Sequence, residues 1–171
     1  MGVANEALAI SAYENASNVL VEAVGFVDHP TIAMSGASPD GLVSDKGICE
    51  VKCPQTNTQI ETLLADKVPT KYLPQIQWQL RCCDRQWADF ISYDPRLPQD
   101  LQLFVKRVEF DPEYVAMLEK EVIQFLAELD DKVNKLTNLK SEKCLKPNTK
   151  FLSLLANTPI KTDKRKTAIS A

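Results

Sequence analysis

The sequence predicts an α/β domain: a mixed central β-sheet with helices on its faces. Three observations carry this. Apolar patterning gives the order helix, three strands, two helices, two strands, helix. A length of 171 residues suits one domain and can bury about two thirds of its unfolded surface. Hydrophobic and charged fractions of 44% and 25% are those of a soluble globular protein.

The first predicted helix covers Asn5 to Val21, with Leu8, Tyr13, Ala16 and Leu20 on one side and no Gly or Pro inside. Glu22 to Val27 follows as a strand, ended by Asp28-His29-Pro30. Ala33 to Ala37 is a second short strand before the turn Ser38-Pro39-Asp40-Gly41, and Gly47 to Cys53 is a third, stopped by Pro54. Thr56 to Ala65 is helical, with Ile60, Leu63 and Leu64 as its apolar side. Leu73 to Cys83 is helical with Pro74 in its first turn, where a missing N–H costs little. Trp87 to Tyr93 and Leu101 to Glu109 are strands around a loop at Asp94 to Pro98. Asp111 caps a long helix to about Leu136, with Pro112 at N1 and Glu113 suited to the dipole.

Residues 1–139 are expected to form the core and residues 140–171 a basic, disordered tail. From Lys140 there are eight Lys/Arg and two Asp/Glu, a net charge of +6 that leaves −9 on the preceding residues. Such a tail either contacts nucleic acid or is simply solvated. No apolar run approaches the ~20 residues of a membrane span. The start lacks a signal peptide's basic and apolar regions. The five cysteines, Cys49, Cys53, Cys82, Cys83 and Cys144, then point to reduced thiols in a cytoplasm. With no C-x-x-C pair and one histidine, zinc is disfavoured. Cys49 and Cys53 flank Val51 at period two and read as buried strand residues.

The chemistry concentrates in Ala37 to Pro54, ASPDGLVSDKGICEVKCP. Strand side chains alternate, so Glu50 and Lys52 point one way while Cys49, Val51 and Cys53 point the other. The turn before the adjacent strand can bring Asp40 over Glu50 and Lys52. Two carboxylates and a backbone carbonyl are hard oxygen donors of the kind Mg²⁺ takes. A lysine beside them can position a nucleophilic water or stabilise charge on a phosphate. Asp-Gly is also a common turn pair, and Glu and Lys at i, i+2 commonly lie on the wet side of a hairpin. From spacing alone both readings stay open.

Pro39-Asp40 with Glu50-Val51-Lys52 resembles the PD-(D/E)xK nuclease motif, and SPDGLVSDKGICEVKCP is similar to the YqaJ-type viral recombinases, the family of bacteriophage lambda exonuclease. Tyr72-Leu73-Pro74-Gln75-Ile76-Gln77 resembles that family's Tyr-x-x-Gln-x-Gln helix. Tyr93-Asp94-Pro95-Arg96 resembles the end of one of its strands, and Tyr13-Glu14-Asn15 its glutamate-bearing first helix. The resemblance runs from Glu6 to Leu136. It implies a restriction-endonuclease-like core with Asp40, Glu50 and the Val51 carbonyl as metal ligands and Lys52 as the catalytic lysine. It places Glu14 at the site from the first helix, as a further ligand or through a metal-bound water, Gln75 beside the metal to hold water or the scissile phosphate, and Ser38 on the 5′-phosphate. It also implies Mg²⁺ (with Mn²⁺ as a substitute) and 5′→3′ digestion of one strand at linear double-stranded DNA ends, leaving 3′ overhangs. A single-strand annealing protein as partner, a homotrimer, and a phage or prophage origin in a bacterial cytoplasm follow with it.

Three departures from the family pattern are visible. An upstream segment with an arginine and a serine for the 5′-phosphate is expected to be absent, which would weaken 5′-end selection and processivity. The Trp-Gly before the family's glutamate corresponds to Ala9-Ile10. Pro30 stands where lambda exonuclease has a further aspartate, leaving Asp28 or His29 to support a second metal. The alternative expectation is therefore a catalytically impaired or vestigial DNA-binding or assembly module.

Overall fold

The computed structural model describes residues 2–144, with side chains from 5 to 139. The segment after Cys144, including Phe151–Leu155 and most of the expected basic tail, lies outside the described residues. The chain divides into one unit at Met1–Gln124 and a second at Phe125–Ala171.

The first unit begins with α1 (Gly2–Ser17), β1 (Val21–Glu22), β2 (Val27–Asp28), β3 (Gly36–Ala37), β4 (Gly41–Val43) and β5 (Gly47–Lys52). It continues with α2 (Thr56–Ala65), α3 (Leu73–Cys83), β6 (Trp87–Tyr93), β7 (Leu103–Glu109) and the start of α4 (Pro112–Cys144). Five strands form one sheet in the order β1-β4-β5-β6-β7. β5 and β6 are parallel, with Glu50 opposite Phe90 and Lys52 opposite Ser92; the other neighbours are antiparallel. The sheet is mixed, as expected. α2 and α3 lie within the connection that a parallel pair requires.

Alternation along β5 gives each sheet face its own core. Cys49 and Val51 join Ile91, Tyr93 and Val43 beneath Ala9 and Tyr13 of α1. Ile48 joins Ala88, Phe90 and Phe104 beneath Ile76 and Leu80 of α3. Tyr72 stacks on Phe90 at 5.4 Å between ring centroids. Gly47 is required where it stands, because a Cβ there would come within 2.2 Å of the Trp87 ring.

The helix faces differ from the apolar patterns. Leu8, Ala16 and Leu20 of the first helix are exposed; Ala9 and Tyr13, four apart, make its buried face. A small residue at Ala9 lets α1 approach the sheet. Tyr13 donates its hydroxyl to Asp89 at 2.7 Å, and Asp89 is also held by Arg107 at 2.9 Å. Burial, then the Asp89 bond, raises the Tyr13 phenol well above its ordinary pKa. α1 stops at Ser17 rather than Val21, because Asn18 turns left-handed at φ 54°.

In α2 the buried residues are Gln59 and Thr62, while Ile60 and Leu64 are exposed. Gln59 is satisfied inside the core: it donates to the Ser92 and Gln102 carbonyls and accepts from the Ser92 hydroxyl. Apolar periodicity cannot reveal a glutamine buried by its hydrogen bonds. The predicted strand Glu22–Val27 is instead two pieces. β1 pairs with β4, and β2 pairs with β3 in a separate two-stranded sheet, with Gly25 in the link between them.

His29 follows β2 and packs on Trp78, with ring centroids 4.7 Å apart. Its Nδ1 accepts the Thr31 and Ile32 amides, so the neutral ring's proton sits on Nε2. Nε2 lies 3.3 Å from Glu119 Oε1, without hydrogen-bond alignment. Arg81 donates to that same oxygen. Burial lowers the His29 pKa below its ordinary 6.5. The unfolded chain therefore binds the proton more readily, and stability from the neutral ring is complete above pH 6.5. It is lost as pH falls through 6.5 towards the lower folded-state value. In thermal melts from pH 7.5 to 5.5, His29→Gln should flatten part of the wild-type decline; parallel curves would exclude this role.

The second unit begins at Phe125. α4 runs on to Cys144, past the predicted end, with Phe125, Leu129, Val133, Leu136 and Leu139 exposed. Among the described residues no helix is long and apolar enough to cross a membrane.

Candidate functional site

β4 pairs with β5 only as far as Gly41 opposite Cys49. Beyond that point, β5 keeps β6 on one edge and has no ladder partner in β4 on the other. Asp40, one residue before β4, fills the gap. Its Oδ2 accepts the Val51 amide at 2.6 Å. N–H and C=O of one strand residue leave the same edge, so the Val51 carbonyl also points to the Asp40 side.

Glu50 lies on the α3 face and is only 1% exposed. Three donors hold its carboxylate. Oε1 accepts from Lys52 Nζ and from Gln75 Nε2 (2.6 Å for the latter), and Oε2 accepts from Gln79 Nε2 at 2.6 Å. Gln75 and Gln79 are one helical turn apart on α3, so one helix face supplies both amides. Lys52 Nζ also sits 5.3 Å from the Tyr72 ring centroid, and Lys71 Nζ lies 4.8 Å from the same ring. The buried carboxylate is thus paired with Lys52 and hydrogen-bonded at both oxygens, the condition under which a protein interior tolerates such a group.

Asp40 is different. Burial raises its pKa to about 6, against the lowering effect of the Val51 bond. The negative charges of Glu50 and Glu6 push the same way, and Lys52 offsets them only in part. Excess negative potential at half-buried carboxylate and carbonyl oxygens suits a divalent cation. Among the described residues no three His, Cys, Asp or Glu side chains form a ready-made metal cage. That is compatible with Mg²⁺, which binds through one or two carboxylates and keeps several waters.

The predicted residues divide as follows. Asp40, Glu50, Val51, Lys52 and Gln75 come together. Ser38 is exposed, and its carbonyl receives Gln79 Nε2 at 3.4 Å. Glu14 has another partner: its Oε1 accepts the Val21 amide at 2.8 Å, fastening the turn after α1. The α1 acid whose charge acts on Asp40 is Glu6. Glu6 precedes Ala9 by three and Tyr13 by seven, so it shares their buried face. That spacing was available in the sequence. His29 is held by Trp78 and Glu119, and Asp28 pairs with Gly36 in the small sheet. Cys49 lies behind the site, its thiol pushed up to about 12 first by burial and then by Asp40 and Glu50.

A family model described as the YqaJ-like viral recombinase domain matches residues 1–86. The chain belongs to this family. This YqaJ-like chain is similar to the alkaline exonuclease LHK-Exo from Laribacter hongkongensis. The two share 47% identity over 80% of this chain and 71% of that one, with a TM-score of 0.78. The structure of LHK-Exo in complex with dAMP gives 46% identity over 82% and 72%, with a TM-score of 0.80. A phage related exonuclease from Haemophilus somnus 129PT shares the fold at 17% identity over 75% and 71%, with a TM-score of 0.53. No curated protein sequence matches the chain. Family and fold are those of a phage-type exonuclease.

Proposed function

We propose that this chain is a Mg²⁺-dependent deoxyribonuclease that digests one strand of linear double-stranded DNA from the 5′ end, leaving 3′ overhangs. The observation that carries the reading is the buried Glu50 carboxylate held by Lys52, Gln75 and Gln79, with the half-buried Asp40 beside it. Asp40, Glu50 and the Val51 carbonyl would hold the cation, with Glu6 contributing from α1. When bound, Mg²⁺ supplies Lewis-acid polarisation of the phosphate and a more acidic water. Lys52, braced against Tyr72, orients the attacking water or neutralises charge on the phosphate. Gln75 keeps Lys52 and Glu50 in one hydrogen-bonded group. Ser38, exposed beside the Asp40 turn, would bind the 5′-phosphate. The residues after Lys140 add positive charge for duplex DNA. A homotrimer and a single-strand annealing partner belong to the same proposal.

The test is digestion of 5′-phosphorylated linear duplex. Mg²⁺ should give shortening of the 5′-ended strands with mononucleotide release, and Mn²⁺ should substitute. EDTA should abolish both. Metal binding and DNA binding without cleavage would instead identify a vestigial module.

A further inference from the structure

The two oxygens of Glu50 have different surroundings. Oε1 meets Lys52 and Gln75, both on the partly exposed side of the cluster. Oε2 meets Gln79 alone, and Gln79 is 2% exposed. The Gln79 amide also reaches the Ser38 carbonyl at 3.4 Å. Both contacts are acceptors, so the NH₂ end must face them. The carbonyl end is left buried with no protein partner among the described residues. A buried glutamine that leaves its own acceptor unpaired has its donors committed to one place.

We propose that Gln79 is a positioning residue: it clamps Glu50 Oε2 and ties it to the Ser38-Pro39-Asp40 turn, fixing the orientation in which the Glu50 carboxylate meets the cation. The proposal rests on the nuclease reading and deepens it. The Lys52 and Gln75 donors hold Oε1 from the partly exposed side, and the Gln79 grip on Oε2 from the buried side stops the carboxylate rotating about its last bond. The Ser38 contact places the backbone before Asp40 under the same clamp, so both acidic groups are located by one amide. Outer contacts of this type set a metal site's affinity without touching the metal.

The test uses the full chain with Gln79→Met, which keeps the length and loses the donor, and Gln79→Asn, which keeps the amide one methylene short. Metal affinity is read by calorimetric titration of Mg²⁺ and Mn²⁺ without DNA, and kcat and KM by duplex digestion. Both variants should bind the metal about 10- to 100-fold more weakly and lose kcat at saturating DNA, with the KM for DNA unchanged. Excess Mn²⁺ should restore part of the rate. A lower melting temperature with wild-type metal affinity in either folded variant would make Gln79 a packing residue and overturn the proposal. Wild-type protein that binds no metal would overturn the nuclease reading, and this inference with it. Wild-type metal binding together with unchanged affinity in the variants would overturn this inference alone.

Discussion

Asp40→Asn should reduce duplex digestion by roughly 1,000-fold, the scale seen when one preorganised electrostatic group is removed from an active site. The same substitution should raise the melting temperature of the metal-free protein at pH 7.5. Asp40's pKa in the fold is about 6, against 3.8 ordinarily, because it is buried and lies near Glu50 and Glu6. The folded chain therefore holds the proton more tightly between those values. Asp40's contribution to stability falls as pH rises from 3.8 to 6, and the penalty persists above 6. Asparagine removes the charge yet can still accept the Val51 amide. Added Mg²⁺ should then reverse the order: it stabilises wild type by binding the native state and leaves Asp40→Asn unmoved. Melts with and without Mg²⁺, run beside the digestion assay, check both halves. Equal cleavage by the two proteins would remove Asp40 from the site.

Phe90→Ala should have the largest effect on stability, about 3–5 kcal/mol. For a chain of this size that is on the order of 10 °C in melting temperature. Phe90 is 1% exposed, central in β6, and packs on Tyr72 and Phe104. Truncation would empty the space between α3 and the sheet. It would also free the Tyr72 ring that backs Lys52. The variant should therefore lose cleavage rate even well below its melting point. Met34→Ala is the control: this side chain is 93% exposed, and its removal should change stability by less than about 0.5 kcal/mol. A Phe90→Ala midpoint within 2 °C of wild type, by circular dichroism, would contradict this account.

Much of the fold could be read in the sequence because strands announce themselves by alternation. Gly47–Lys52 and Trp87–Tyr93 lie within or match their predicted spans, and β5 presents Glu50 to one face and Cys49 to the other as expected. The helix faces were harder. Gln59 is buried because its polar end finds partners across the core at Ser92 and Gln102, which no count of apolar residues detects. Glu14 was the more conspicuous acid beside Tyr13, yet the turn at Asn18 brings the Val21 amide back onto it. Glu6 carried a spacing signal, whereas the role of Gln79 depends on Glu50 lying buried beneath α3, a tertiary contact with no local pattern. Val21–Asp28 changes sheets partway, a tertiary event with no local signature beyond Gly25.

The side chains that bond Glu50, and the carboxylate that meets Val51, all come from Asp40 to Gln79. The reactive cluster is in that sense one heritable cassette, carried by a single uninterrupted stretch of gene. Exchange of the sequence upstream or downstream, as happens when mobile genomes recombine, would alter which acid leans on Asp40 and what delivers DNA. It would leave the donors and acceptors around Glu50 as they are.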